Sequence, residues 1–108
     1  MTYPASVRWL AQAIRGTSHL PPTLRYVALS RFPEDGPQWP DGAWSVELRF
    51  AIPPSEQTEG LETRARVRFL VDDAPAERLR PGARFRIYEG PTPVAEVEVV
   101  GPENTAEA

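Results

Sequence analysis

The chain has 108 residues, 25% of them charged and 41% hydrophobic, with a formal net charge of -3. That suits one domain with a single core, rules out a wholly disordered chain, and leaves no overall basic field to draw the protein to nucleic acid. All 12 basic residues are arginine and there is no cysteine, which removes disulfides, thiolate chemistry, Schiff-base lysines and the lysine of a phosphate-binding P-loop.

The opening "MTYPASVRWLAQAIRG" has neither a basic start nor an unbroken apolar stretch, and no apolar run approaches the roughly 20 residues of a membrane helix. The expectation is a cytoplasmic protein with no membrane contact. Within that opening, Val7, Leu10, Ala11 and Ile14 fall at i, i+3, i+4 and i+7, the spacing of one helical face. Ser6 suits the N-cap and Gly16 the stop. A short helical extension is therefore expected over residues 1–18, and "TSHLPPT" follows as an extended connector.

From Tyr26 the period becomes two. "YVALSR" (Tyr26–Arg31) is a weaker strand with Val27 and Leu29 set on its inner face, the other register remaining open. "GAWSVELRFAI" places Trp44, Val46, Leu48, Phe50 and Ile52 on one face and Ser45, Glu47, Arg49 and Ala51 on the other. "TRARVRFLV" turns Ala65, Val67, Phe69 and Val71 inward and Arg64, Arg66 and Arg68 outward. The loops between, "FPEDGPQWPDG" and "PPSEQTEGLE", are dense in Pro, Gly, Asp and Glu, as long surface connections are.

"RPGARFRIYEGPTPVAEVEVVG" reads as a hairpin. With Tyr88 opposite Val94 across the loop 89–93, Arg86 faces Glu96 and Arg84 faces Glu98, while Ala83, Phe85 and Ile87 face Val99, Val97 and Ala95. A one-residue slip would turn an apolar set into water, so both strands defend this register. Burying Phe85 or Ile87 is worth about 1.5–3 kcal/mol each, against roughly 0.2–1 kcal/mol for an exposed charge pair. Burial therefore sets the fold, and the ladder sets register and solubility. Arg64, Arg66 and Arg68 have only Glu47 and Glu62 as neighbours legible in the sequence, which makes them the better candidates for an external anion.

"GARFRIYEGPTPVA", with the spacing G-x-R-F-x-I-x-E-G-x-x-x-V-A, resembles the end of the C-terminal β-barrel domain of elongation factor Tu and related translation GTPases. "LSRFPEDGPQWPDGAWSVELRF" is similar to the family's strand, Gly-containing loop, proline and small-residue-plus-aromatic pair leading into the next strand. The likeness runs from about Leu24 to Gly101 and implies an all-β fold, a small antiparallel β-barrel over residues 19–101 followed by a flexible tail at 102–108. It also implies contact with a GTPase domain and with the T stem of aminoacyl-tRNA, partly through the loop matching Tyr88, Glu89, Gly90 and Pro91. Here that loop carries Pro91, Thr92 and Pro93 where relatives are often basic or glycine-rich, and the strand expected between Ile52 and Thr63 is shortened or lost. No nucleotide-binding motif is present, so GTP hydrolysis and nucleotide binding are not expected. A barrel without its sister domains exposes surface that the expected helix, with Trp9, Leu10 and Ile14, would cover or use to recruit a partner.

Chemistry has little to work with. His19, the single histidine, has no metal or triad partner and reads as a loop residue. Asp72 and Asp73 read as turn formers rather than as a cation site. Trp39, in a proline-rich loop, either packs locally or stays exposed as a contact residue. The expectation is therefore a non-enzymatic binding module without metal or cofactor. A protein partner would be engaged through Trp9, Trp39, Tyr88, Glu89 and Gly90. The alternative is RNA held by Arg64, Arg66, Arg68, Arg84 and Arg86.

Overall fold

Alternation of apolar side chains starts not at Tyr26 but at Tyr3. In the computed structural model, which describes residues 2–10, 20–56 and 62–101, Tyr3–Trp9 is the first of six strands. β1 (Tyr3–Trp9), β2 (Arg25–Arg31), β3 (Ser45–Arg49), β4 (Glu62–Phe69), β5 (Arg84–Glu89) and β6 (Thr92–Val99) pair antiparallel throughout. They close into a barrel in the order β1-β4-β3-β2-β5-β6. The small antiparallel barrel expected from the sequence is thus the architecture of the protein, and it is closed.

The N-terminal helix is a correction. "YPASVRW" carries two periods at once, and the two-residue period wins because Ala5, Val7 and Trp9 all fall inside the barrel, Trp9 at 2% exposure. β1 fills the gap between β4 and β6, pairing Ala5 with both Ala65 and Val99, so neither strand is left with an open edge. The barrel accordingly starts at Tyr3 rather than at residue 19. The second half of the expected helix, at 11–18, His19 and the tail at 102–108 lie outside the described residues. Among the described residues, helical structure is confined to 3-10 turns at Pro54–Glu56 and Ala76–Arg78, and no helix is long and apolar enough to cross a membrane.

Two aromatic clusters fill the barrel. Where β1 and β3 end and β2 begins, Trp9 meets Tyr26 edge-on at 5.5 Å and Phe50 at 6.4 Å. At the opposite end, Phe32 stacks on Phe85 at 4.3 Å and lies 5.7 Å from Phe69. Valines 7, 46, 67, 97 and 99 with Leu48 and Ile87 pack between them. The buried polar groups are satisfied: the Trp9 indole Nε1–H donates to Thr63 Oγ1 at 3.1 Å, the Ser30 hydroxyl to the Trp44 carbonyl at 2.5 Å, and no described buried side-chain N or O lacks a partner.

β2 lies in the register opposite to the preferred one. Ala28 and Ser30 point inward, leaving Val27 and Leu29 on the outer side. The interior beside β2 already holds Phe32, Trp9 and Tyr26, so small inward residues fit where Val and Leu would overfill it. Ile52 and Val71, expected inward, follow the last residues of β3 and β4 and are exposed.

The β5–β6 hairpin has the predicted pairing for Arg84–Glu98, Phe85–Val97, Arg86–Glu96 and Ile87–Ala95. It departs at the tip, where a bulge at Ile87/Tyr88 sets Tyr88 opposite Pro93 instead of Val94. The turn shortens to Gly90-Pro91. Gly90 has φ 61°, the left-handed value that a tight hairpin requires at its first central residue and that glycine adopts without steric cost.

Candidate functional site

Trp9, expected on an exposed helix, is a core residue and offers no surface to a partner. The expected arginines fall on the outer wall, where strand pairing divides the charges into two unlike regions.

On the first, most opposed charges are of opposite sign, Arg31 against Arg86 being a like-charged pair. Register places Arg86 between Arg31 and Glu96, and Arg8 between Glu96 and Glu62, in one row crossing β2, β5, β6, β1 and β4. Arg86 Nη2 lies 3.0 Å from Glu96 Oε2, Arg84 Nε 3.7 Å from Glu98 Oε1, and Ser6 Oγ donates to Glu62 Oε2 at 2.7 Å. These residues line a surface groove of about 600 Å3 together with Tyr88 and Phe32. Arg84 and Arg86, two of the five arginines expected to hold RNA, are therefore matched by carboxylates of the same wall, as the sequence register requires.

The second region runs over β2, β3 and β4 and is unbalanced. Arg25 directly opposes Arg49, and Arg49 directly opposes Arg66, an arrangement of like charges that is unfavourable across strands. Two residues along, on the same face, Glu47 opposes Arg68 on one side and Val27 on the other. Glu47 faces outward by strand parity, yet it is only 1% exposed, because three guanidinium groups lie over it. Arg25 Nε donates to Oε2, while Arg68 Nε at 2.7 Å and Arg49 Nε at 3.3 Å donate to Oε1. Burial pushes the Glu47 carboxyl upward, but the hydrogen bonds from Arg25, Arg68 and Arg49 and the charge of Arg68 outweigh it and hold the pKa at about 2. Arg66 Nε donates to Thr2 Oγ1 at 3.0 Å, and Arg64, opposite Ser6, is exposed and engaged in contacts of its own.

A third feature is aromatic. The Trp39 loop folds back on β2 and β5: the indole Nε1–H donates to the Ser30 carbonyl at 2.9 Å, and its ring lies 4.5 Å from Tyr88 and 5.0 Å from the Arg31 guanidinium carbon. The indole is half-buried, so local packing and surface presentation coexist at this residue. Beside the hairpin turn, the Tyr26 hydroxyl donates to the Glu89 carboxylate. Burial, the hydrogen bond to Glu89 and the Glu89 charge together push the Tyr26 phenol above its ordinary range. Of the expected partner-binding residues, Trp39 and Tyr88 come together, and Glu89 and Gly90 adjoin Tyr88 in the chain.

Sequence reasoning placed Glu47 near Arg68 but missed Arg25, Arg31 and Tyr26. Arg25 and Arg31 bracket β2, and their neighbours follow only from the pairing of β2 with β3 and with β5. Among the described residues no group of three His, Asp or Glu side chains converges to hold a metal ion. Compared with protein-family models, with curated proteins and with solved structures, the chain shows no match in any of the three.

Proposed function

We propose that the protein is a non-catalytic binding module that engages a protein partner through the Trp39, Tyr88 and Arg31 surface and the adjoining Glu89-Gly90 turn. The observation that carries this reading is the packing of a half-exposed tryptophan against both a tyrosine and an arginine on one wall. Those three residue types dominate the binding energy of protein interfaces, because each presents a large, semi-rigid surface with a polar handle. Here the indole is already fixed by its bond to Ser30, so little rotamer freedom remains to be lost on binding. The acidic net charge and the two prolines around the turn, Pro91 and Pro93, also suit a protein contact better than a phosphate chain. The resemblance of the sequence to the C-terminal barrel of elongation factor Tu points the same way, since in that family the barrel packs on another protein domain. The test is affinity capture of partners from native cells with the wild-type chain and with Trp39→Ala, after circular dichroism shows both folded. A partner retained equally by both would end this assignment.

A second reading is favoured by one observation, the directly opposed like charges of Arg25, Arg49 and Arg66. In this reading the arginine wall holds RNA, with Arg64, Arg66 and Arg68 on phosphates. Titration with tRNA at two salt concentrations tests it, because phosphate neutralisation makes affinity fall steeply with salt.

A further inference from the structure

The geometry points to a binding site for a phosphate monoester dianion on the outer wall of β2, β3 and β4, organised by Glu47. Four observations lead to it. First, Glu47 gathers Arg25, Arg49 and Arg68 from three different strands around one carboxylate. Second, each of the three reaches that carboxylate through Nε. On Arg25 and Arg49 the edge that carries the two Nη groups makes no bond to it, while on Arg68 Nη1 donates to the Phe69 carbonyl at 3.3 Å. That edge is the planar donor pair that matches two oxygens of a phosphate. Third, Arg25 and Arg49 remain 54% and 63% exposed while the carboxylate beneath them is 1% exposed, so the donors are on the solvent side and the anchor is not. Fourth, three guanidinium groups and one carboxylate leave a local charge of +2, with Arg66 directly beside Arg49.

A local charge of +2 confined to one patch is met by a compact dianion. A phosphodiester chain brings one negative charge per residue along an extended path, whereas these three arginines are gathered around one carboxylate. Without Glu47 the three arginines would repel one another and spread. The carboxylate thus acts as a positioning group that holds the donors ready, and it gives up one unit of attraction in doing so. The other wall supplies an internal control, because two of its arginines, Arg84 and Arg86, are already matched by Glu98 and Glu96.

The pH dependence follows from the ligand. A phosphate monoester gains its second charge near pH 6. The charged groups facing the site are Arg25 from β2, Glu47 and Arg49 from β3, and Arg66 and Arg68 from β4. Arginine does not lose its proton in proteins, and the Glu47 carboxyl is held at about 2. Affinity should therefore rise between pH 5 and 7.5 with the charge of the ligand alone.

The experiment is a titration of isotopically labelled protein, at constant ionic strength, with glycerol 3-phosphate and with a glycine-flanked phosphoserine peptide, following arginine Nε–H signals by NMR. The expected result is saturable movement of the Arg25, Arg49 and Arg68 signals. Binding should be several-fold tighter at pH 7.5 than at pH 5, about tenfold weaker in Arg49→Gln, and unchanged in Arg84→Gln. Because Arg49 is mostly exposed, its variants should fold. Arg49→Lys keeps the charge without the planar edge and should also bind several-fold more weakly. A peptide that binds more tightly than glycerol 3-phosphate identifies a phosphorylated protein as the source of the group, and equal binding identifies a free phosphorylated metabolite. The proposal is overturned if no signal saturates, if Arg49→Lys or Arg49→Gln binds like wild type, or if Arg84→Gln loses as much as Arg49→Gln. A single-stranded RNA that binds while both monoesters do not also overturns it, and would favour the RNA reading of the same wall.

Discussion

Replacing Glu47 by glutamine removes one negative charge from beneath three arginines with almost no change of shape. The cost can be worked from the proton equilibrium. Folding lowers the Glu47 pKa from 4.5 to about 2, and at roughly 1.4 kcal/mol per unit the carboxylate contributes about 3 kcal/mol. This agrees with the range of about 3–5 kcal/mol for breaking a buried ion pair from one side. The lower end applies, because the arginines are partly exposed and regain water when the carboxylate is lost. The sign follows from the depressed folded pKa: the contribution is complete above 4.5 and disappears as pH falls toward 2. Urea unfolding at pH 7, with a slope of about 1.5 kcal/mol/M, should place the midpoint of Glu47→Gln about 2 M below wild type with the slope unchanged. Between pH 4.5 and 2 the wild type should lose more stability than the variant, and the two curves should converge. Molar salt should partly restore the variant by screening the opposed arginines. If the midpoints differ by less than about 0.3 M, or if the pH profiles run parallel, then Glu47 is not the centre of the arginine wall.

Other outcomes follow from the fold. Trp9→Ala should cost about 3–5 kcal/mol, as loss of a buried aromatic ring does, and deleting residues 1–9 should abolish cooperative unfolding by circular dichroism. A stable, monomeric deletion variant would show that β1 is dispensable. Asp35 accepts the Phe32 N–H at 2.8 Å and lies 3.1 Å from Arg78, whose guanidinium sits over the Phe32 ring. Asp35→Ala should therefore cost about 1–3 kcal/mol in urea unfolding, and a double-mutant cycle with Arg78→Ala should show coupling. Gly90→Ala, which puts a Cβ on a residue at φ 61°, should cost about 1–2 kcal/mol while leaving the hairpin pairing intact in NMR contacts.

What the sequence could reveal depended on whether its chemistry was redundant. In the β5–β6 hairpin, apolar and charged residues alternate on both strands, so two independent patterns selected one register, and the structure has it up to the bulge at Ile87/Tyr88. β3 and β4 were legible for the same reason. β1 was not, because Val7 belongs both to a helical stripe with Leu10 and Ile14 and to an alternating row with Ala5 and Trp9. Only the vacancy between β4 and β6 selects the second. In β2 the outward residues Val27 and Leu29 are more apolar than the inward Ala28 and Ser30, so parity read from hydrophobicity points the wrong way. The arginine wall was half visible. Glu47 and Arg68 could be matched by strand parity, but the convergence of Arg25 depends on which strand lies beside β3 and at what offset. Burial of Glu47 under its neighbours is a property of the assembled wall, with no counterpart in any local segment.

The strand that completes the barrel is the first to be synthesised, and its partners are among the last. Ala5 waits for Ala65 and then for Val99. At about 5–20 residues per second, that interval is on the order of 5–20 s. Until β4 and then β6 have been made, the row Ala5, Val7 and Trp9 lacks its native neighbours, and the barrel cannot close. Premature arrest of translation anywhere before β6 would release an open sheet with a greasy, unmatched rim, a natural client for chaperones and a seed for aggregation.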